Sequence, residues 1–326
     1  MKTLKAIANI AHPSNNSKGI CENPTHGHGT ADNYLEEHDK SYSHRSTFYN
    51  HTLRMHVPKC IRGFGHFRCL PCMTDYFRLH LCGKEWCETC GEKMSWIHKR
   101  RIARWYDKWA QMETLGYLII TTPIEFRDFV LSLEAPESKK VLQHLRRYWV
   151  RKLKAEFDGI KGLCRYHWAG DDGKRFAPHL NFLFNKGYIE KDILNRWRND
   201  YYNWLKDNCG IKVAAGTTNL RYRYCTEPAA RMHRLKYVTR ATLMVYRPKY
   251  AKIIHKFKNS INFGKFDKPK TNTKELSSLE ACRCPECHTK LEHIEFIRPD
   301  KVRNLPGNLN DLDGGWFRHN LLDRGG

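Results

Sequence analysis

Two hydrophobic periods alternate along this chain, and the switches between them predict its elements. After Cys90 the apolar residues Met94, Ile97, Trp105, Trp109 and Met112 recur at helical spacing, with Lys99, Arg100 and Ala103 on the other side, so a basic helix is expected. The β-branched run from Gly116 to Thr122, closed by Pro123, predicts a buried strand. A second helix is expected over roughly 137–157, where Arg146, Arg147, Arg151, Lys152 and Lys154 add positive surface. Residues 163–168 and 178–184 read as strands on either side of an Asp172-Gly173 turn, which makes them antiparallel neighbours. Ile193, Leu194, Trp197, Tyr201 and Leu205 predict another helix, followed by a strand near 217–225. A last helix starts after Thr226, with Glu227 and Pro228 in its first turn. This order predicts an α+β domain, an antiparallel sheet with helices packed on it.

Outside that domain the periodicity fails. Residues 1–58, rich in Asn, His, Ser and Gly, are expected to be a disordered tail, and its Cys21, His26 and His28 form only a weak metal candidate. A small zinc-binding module is expected over 59–92, the α+β domain over 93–258 and a polar linker over 259–280. A compact Cys/His cluster over 281–297 and a flexible tail over 298–326 complete the chain.

The module is defined by its cysteines. Cys69-Leu-Pro-Cys72, His80-Leu-Cys82 and Cys87-Glu-Thr-Cys90 use the two-residue spacing that lets two turns present thiolates to one tetrahedral Zn²⁺. A disulfide framework fits less well, because the total of 13 cysteines is odd and Met1-Lys-Thr-Leu-Lys-Ala opens no apolar leader. Which four of Cys69, Cys72, Cys82, Cys87, Cys90 and His80 bind is open from spacing alone, with Cys69, Cys72, Cys87 and Cys90 the symmetric choice. Cys282, Cys284, Cys287 and His288 form a second, tighter zinc candidate, with His293 nearby.

Charge changes the picture next. The 57 Lys and Arg against 34 Asp and Glu leave a formal +23 on 326 residues, a field that attracts a polyanion. No run of ~18 apolar residues offers a membrane span. The 9 Trp, 16 Tyr and 15 Phe suit stacking on unpaired bases, although any one of them is by default a core residue.

Two groups carry candidate chemistry. Strand alternation places His179 and Asn181 on one face and Leu180, Phe182 and Phe184 on the other. His167, across the hairpin, lands beside His179 and offers a third metal ligand; an imidazole with an amide oxygen suits Mg²⁺ or Mn²⁺. In the helix after Thr226, His233, Tyr237 and Arg240 are expected on one stripe, with Met232, Leu235, Thr239 and Leu243 facing the core. A phenol, with an ordinary pKa near ~10, needs a neighbouring cation or base and a polarised electrophile to act as a nucleophile. For a basic, aromatic-rich chain that electrophile is a DNA phosphodiester.

Taken together these segments resemble the HUH-type rolling-circle replication initiators of plasmids and phages, and the related transposases with an N-terminal zinc domain. The cysteine spacing with Gly83 and Gly91 resembles their zinc module. Gly116 to Glu125 resembles their first core strand, Arg175 to Phe184 their metal motif, and Leu235-Lys-Tyr-Val-Thr-Arg240 their single-tyrosine motif. The likeness spans about 69–245. It implies an HUH endonuclease fold and a metal-dependent DNA endonuclease and strand transferase. Tyr237 would attack one phosphate, with Arg240 and His233 assisting and Mg²⁺ or Mn²⁺ on His179, Asn181 and His167, leaving a 5′-phosphotyrosyl link and a free 3′-hydroxyl primer; the Zn²⁺ would be structural. Asn181 stands where relatives carry a second histidine, and Arg240 where many carry lysine. A two-tyrosine relay would need Tyr222 or Tyr224, which read as strand residues. The implied partners are single-stranded or hairpin origin DNA and, since no Gly-x4-Gly-Lys-Ser/Thr loop occurs, a host helicase and polymerase. The implied setting is the cytoplasm of a prokaryotic cell carrying a plasmid, phage or other mobile element. A zinc-domain transposase with the same chemistry and a non-catalytic zinc-finger nucleic-acid-binding protein are the alternatives.

Overall fold

The computed structural model describes residues 47–50, 55–170, 173–213, 220–243, 245–267, 275–306 and 309–320. Cys21, His26, His28, Asp171, Asp172, residues 217–219 and the linker core at 268–274 lie outside them. The described residues form an α+β fold with two five-stranded antiparallel sheets and one short hairpin. That hairpin, β1 (Thr47–Asn50) with β2 (Met55–Pro58), falls inside the stretch expected to be a tail.

The first sheet grows from the hairpin β3 (Ile61–Cys69) and β4 (Thr74–Leu81). The chain then enters helix α1 (Trp96–Ala110), whose first turn is capped by the Ser95 hydroxyl accepting from the His98 amide. The second sheet takes β5 (Leu115–Thr121), then helices α2 (Ile124–Ser132) and α3 (Ala135–Glu156), then β6 (Gly162–Ala169) and β7 (Phe176–Phe184). Helix α4 (Lys191–Cys209) ends on Gly210, which takes the left-handed conformation that closes a helix C-terminus. Strand β8 (Leu220–Cys225), helix α5 (Pro228–Thr239), helix α6 (Pro248–Ile254) and β9 (Ser260–Phe263) follow. Helix α7 (Glu275–Glu280) and β10 (Glu292–Ile297) lead to a 3₁₀ turn at Pro299–Asn304, then β11 (Asn310–Asp311) and β12 (Trp316–Asn320).

The sheet orders are β10-β3-β4-β12-β11 and β8-β5-β7-β6-β9. The C-terminal residues therefore differ from their sequence reading. β9 hydrogen-bonds to β6, β10 to β3 and β12 to β4, so the expected linker, cluster and tail supply strands to both sheets.

The two faces of the second sheet have different jobs. Leu118, Ile120, Leu180, Phe182, Cys164, Tyr166 and Trp168 pack with Leu145 and Trp149 of α3 and Trp197 of α4 into the main core. Tyr117, Leu163 and Leu183, on the other face, meet Trp109 and Met112 around α1 and Leu235 and Val238 of α5. Helix α1 also supports the first sheet through Trp96. That double role explains why Arg100 and Ala103, expected on a solvent face, are buried. Arg100 donates to the carbonyls of Leu79, Gly314 and Gly315, and a Cβ on Gly315 would stand 2.8 Å from its guanidinium. Burial pushes Arg100 down to about 9, and Glu280 at 3.7 Å offsets part of that cost.

Candidate metal centres and tyrosine site

The cysteines divide into two groups: Cys60, Cys82, Cys87 and Cys90, and Cys69, Cys72, Cys284 and Cys287. Within each, the ligand atoms all lie within 4.8 Å of one another. Sγ separations are 3.5 Å for Cys60–Cys90, 3.6 Å for Cys82–Cys90, 3.4 Å for Cys69–Cys287 and 3.8 Å for Cys72–Cys284. Four thiolates about 2.3 Å from one Zn²⁺ stand roughly 3.8 Å apart, whereas a disulfide needs about 2.05 Å. Both groups fit zinc and neither is a disulfide.

This partition overturns the single window read over Cys69 to Cys90. Strands β3 and β4 are extended and paired from Ile61↔Leu81 to Cys69↔Thr74. At about 3.3 Å per residue, the nine residues of β3 set the two ends of the hairpin roughly 25–30 Å apart. Cys69 and Cys72, in the turn, cannot share an ion with Cys82, Cys87 and Cys90 at the other end. Cys60 supplies the missing thiolate there; its carbonyl accepts from the Cys82 amide at 3.2 Å. In the turn, Cys284 and Cys287 arrive because β10 runs back along β3, with Glu292 opposite Arg68.

The other ligand candidates fall outside both groups. His80 packs edge-on against Phe296, and burial, with help from Arg78, pushes it down to about 4. His288 takes a left-handed backbone (φ 59°) and donates its amide to the Cys284 carbonyl, closing the turn around the thiolates. Gly91 closes the Cys87–Cys90 turn in the same way, donating to the Cys87 carbonyl at 2.7 Å. The Cys282 carbonyl accepts from the Leu291 amide, and its thiol is not one of the four.

Each thiolate group is tied to α1 by a buried carboxylate. Glu85, between Cys82 and Cys87, accepts from Arg165 at 2.5 Å, lies 3.3 Å from Arg101 of α1 and accepts from the Thr242 amide at 3.1 Å. Burial works against its ionisation, but Arg165, Arg101 and that amide outweigh it and hold the carboxyl below the usual range. Glu280, just before Cys284, pairs with Arg104 of α1 and Arg78 of β4 and accepts from the Trp316 indole.

The tyrosine site lies on the α5 side of the second sheet. His167 and His179 are direct cross-strand partners, and Asn181 is opposite Arg165. The two imidazoles have ring centroids 5.2 Å apart at 78°. His167 donates Nε2–H to the Val238 carbonyl at 3.0 Å, and His179 donates Nδ1–H to the Ala177 carbonyl at 2.9 Å. His167 is fully buried, which with the charge of His179 pushes its pKa well down and keeps the ring neutral. Tyr237 reaches this group from α5: its ring centroid is 5.4 Å from His167 and 6.2 Å from Tyr117, and the Arg240 guanidinium covers it at 4.1 Å.

Three details differ from the expectation for the stripe and for Asn181. Helix α5 stops at Thr239, so Arg240 is its extended C-cap and folds back over Tyr237. His233 is exposed, one turn before Tyr237, whose ring neighbours are His167, Tyr117 and Arg240. Asn181 accepts at Oδ1 from the Tyr117 hydroxyl at 2.8 Å, an engagement that sequence alone did not reveal. Tyr222, registered against Leu118, belongs to the opposite face and donates its hydroxyl to the Lys186 carbonyl at 3.0 Å.

Arg221 and Arg223 of edge strand β8 are registered with Ile119 and Tyr117, so they line the same face as the histidines and are exposed. No family model matches the chain, and neither a curated protein nor a solved structure does.

Proposed function

We propose that this chain is a DNA-nicking initiator of rolling-circle replication, built on an HUH-type sheet, in which Tyr237 attacks a phosphodiester of single-stranded or hairpin origin DNA. The observation that carries this reading is the surroundings of Tyr237, with Arg240 stacked on its ring and the His167/His179 pair beside it. A binding module has no need of a tyrosine so enclosed. The step balances without a co-reactant: the Tyr237 oxygen forms a bond to phosphorus, the bond to the 3′ oxygen breaks, and the proton lost by the phenol is matched by the one gained at the 3′-hydroxyl. A divalent ion held beside Tyr237 would polarise the phosphate. The chain's own residues orient the phenol and hold positive charge next to it. The +23 charge and the exposed Arg221 and Arg223 supply backbone contacts for DNA.

Incubation of the zinc-loaded chain with single-stranded hairpin DNA and Mn²⁺ should give a covalent adduct on a denaturing gel. Tyr237→Phe should lose the adduct and keep DNA affinity within a few-fold, while Tyr222→Phe should keep both. An adduct formed by Tyr237→Phe would refute the assignment.

A further inference from the structure

We propose that Asn181 is a hydrogen-bond donor to the phosphate under attack, held in that role by Tyr117, and that the divalent ion of this site is carried by His167 and His179. This rests on the nicking reading and changes the part that Asn181 plays in it.

A side-chain amide offers one oxygen that can ligate a hard cation and one nitrogen that can only donate. In Asn181 the oxygen is taken: the Tyr117 hydroxyl donates to Oδ1 at 2.8 Å, and both residues are buried. The nitrogen is the reverse case, since Nδ2 is buried and has no hydrogen-bond partner. A buried donor left unpaired costs about 1–3 kcal/mol, so its presence asks for an acceptor. Asn181 shares its face of β7 with His179, beside Tyr237, where a phosphodiester would bring non-bridging oxygens. Tyr117 takes this position through register: it lies opposite Leu183, one step along the same face from Asn181.

The two histidines are prepared differently. Each has one ring N–H committed to a backbone carbonyl, Val238 for His167 and Ala177 for His179. In these tautomers the lone pairs lie on His167 Nδ1 and His179 Nε2. A ring N–H pinned in this way is the usual support of a metal-bound histidine. His167 Nδ1 is buried and has no hydrogen-bond partner. Two imidazoles on one ion with metal–nitrogen bonds of about 2.1 Å place their centroids roughly 4.5–5.5 Å apart, and the observed 5.2 Å lies in that range. Without an amide oxygen in the set, the site favours Mn²⁺ and later first-row ions over Mg²⁺.

The test is Mn²⁺ binding to the zinc-loaded full chain without DNA, read from the electron paramagnetic resonance signal of the free ion. The wild type should bind one Mn²⁺ that only a large excess of Mg²⁺ displaces. Asn181→Ala and Tyr117→Phe should keep that affinity within about twofold, whereas His179→Ala should weaken it about tenfold or more. His167→Gln keeps an N–H for the Val238 carbonyl, guarding against misfolding, and should weaken it similarly; near-ultraviolet circular dichroism checks the fold of each variant. At saturating Mn²⁺, Asn181→Ala and Asn181→Asp should both slow adduct formation about tenfold or more. Tyr117→Phe should slow it too, but add nothing in an Asn181→Ala background. Asn181→Ala losing Mn²⁺ as His179→Ala does, or Asn181→Asp accelerating the reaction, would overturn the proposal. If the wild type forms no adduct, the nicking reading and the donor role fall together, and the Mn²⁺ titration still decides the histidine pair.

Discussion

Glu85→Gln isolates the link between the first thiolate group and the tyrosine site. The substitution keeps the shape of the side chain and removes its charge. Glu85 and Arg165 have side chains only 8% and 6% exposed, and Arg101 is 13% exposed, so two guanidinium groups lose their counter-charge in a place water barely reaches. Breaking a buried pair from one side costs about 3–5 kcal/mol, a large share of a typical folding stability of about 5–15 kcal/mol. The expected shift in thermal midpoint is on the order of 10 °C. Adding Arg165→Met to Glu85→Gln should restore part of the loss, since it removes the stranded charge. Zinc content should stay at two per chain, because Glu85 docks the thiolate loop and does not ligate. Adduct formation should fall, because the partners of Glu85 are Arg165, two residues from His167, and the amide of Thr242, two residues past Arg240. Calorimetric unfolding of the two single variants and the double variant completes the cycle. A Glu85→Gln variant within 1 kcal/mol of wild type, or purely additive losses, would refute the buried-pair account. The pH dependence has a definite sign. The Glu85 carboxyl is lower in the folded state than the ordinary ~4.3, so its contribution is complete above that pH and is lost as pH falls through the folded value.

Elemental analysis should find two zinc ions per chain; Cys60→Ser should leave one, while His80→Gln and Cys282→Ser should leave two, and a loss of zinc in either of the last pair would overturn the partition. His98 is buried and pushed down to about 3, chiefly by burial, so its contribution is full above the ordinary ~6.5 and is lost progressively as pH falls toward about 3. His98→Gln should flatten the stability curve over that window; an unchanged acid limb in urea unfolding would contradict it. Chelation of the zinc at neutral pH should unfold the first sheet and lower adduct yield together, since structural zinc in small modules contributes about 10–16 kcal/mol; full activity in the zinc-free chain would show the metal to be dispensable.

Much of the second sheet was legible because its signals are local. Alternation and the Asp172-Gly173 turn identified β6 and β7 as neighbours, and the spacing of Trp197, Tyr201 and Leu205 gave α4. The two cysteine groups were half legible for the same reason. Cys87 and Cys90 share a turn that sequence displays, but their partner Cys60 is fixed by hairpin register, and Cys284 reaches Cys69 only through strand pairing across more than two hundred residues. One signal was available: counting back along β3 from the Cys69–Cys72 turn puts Cys60 opposite Gly83, one residue from Cys82, and a register shift between Ile61 and Gly63 closes that gap. Ser260 to Phe263 and Trp316 to Asn320 carry too short a pattern to stand out, because so short a strand is specified by the sheet that receives it.

The electrostatics show why the two thiolate groups belong to the same problem as the tyrosine. Each stands at one end of the β3–β4 hairpin, and each is followed or preceded by a buried carboxylate that grips α1, Glu85 through Arg101 and Glu280 through Arg104. Helix α1 in turn holds α5: His98 hydrogen-bonds the Lys236 carbonyl at 2.9 Å and the Thr239 hydroxyl at 3.1 Å, on either side of Tyr237. A tyrosine on a short helix that ends two residues after it, just before its stacked cation, would be poorly fixed by that helix alone. Here both ends of its last turn are anchored to α1, and α1 is anchored to two four-cysteine clusters that could each hold a zinc ion. The placement of Tyr237 is then tied, through α1, to thiolates that the tyrosine never touches.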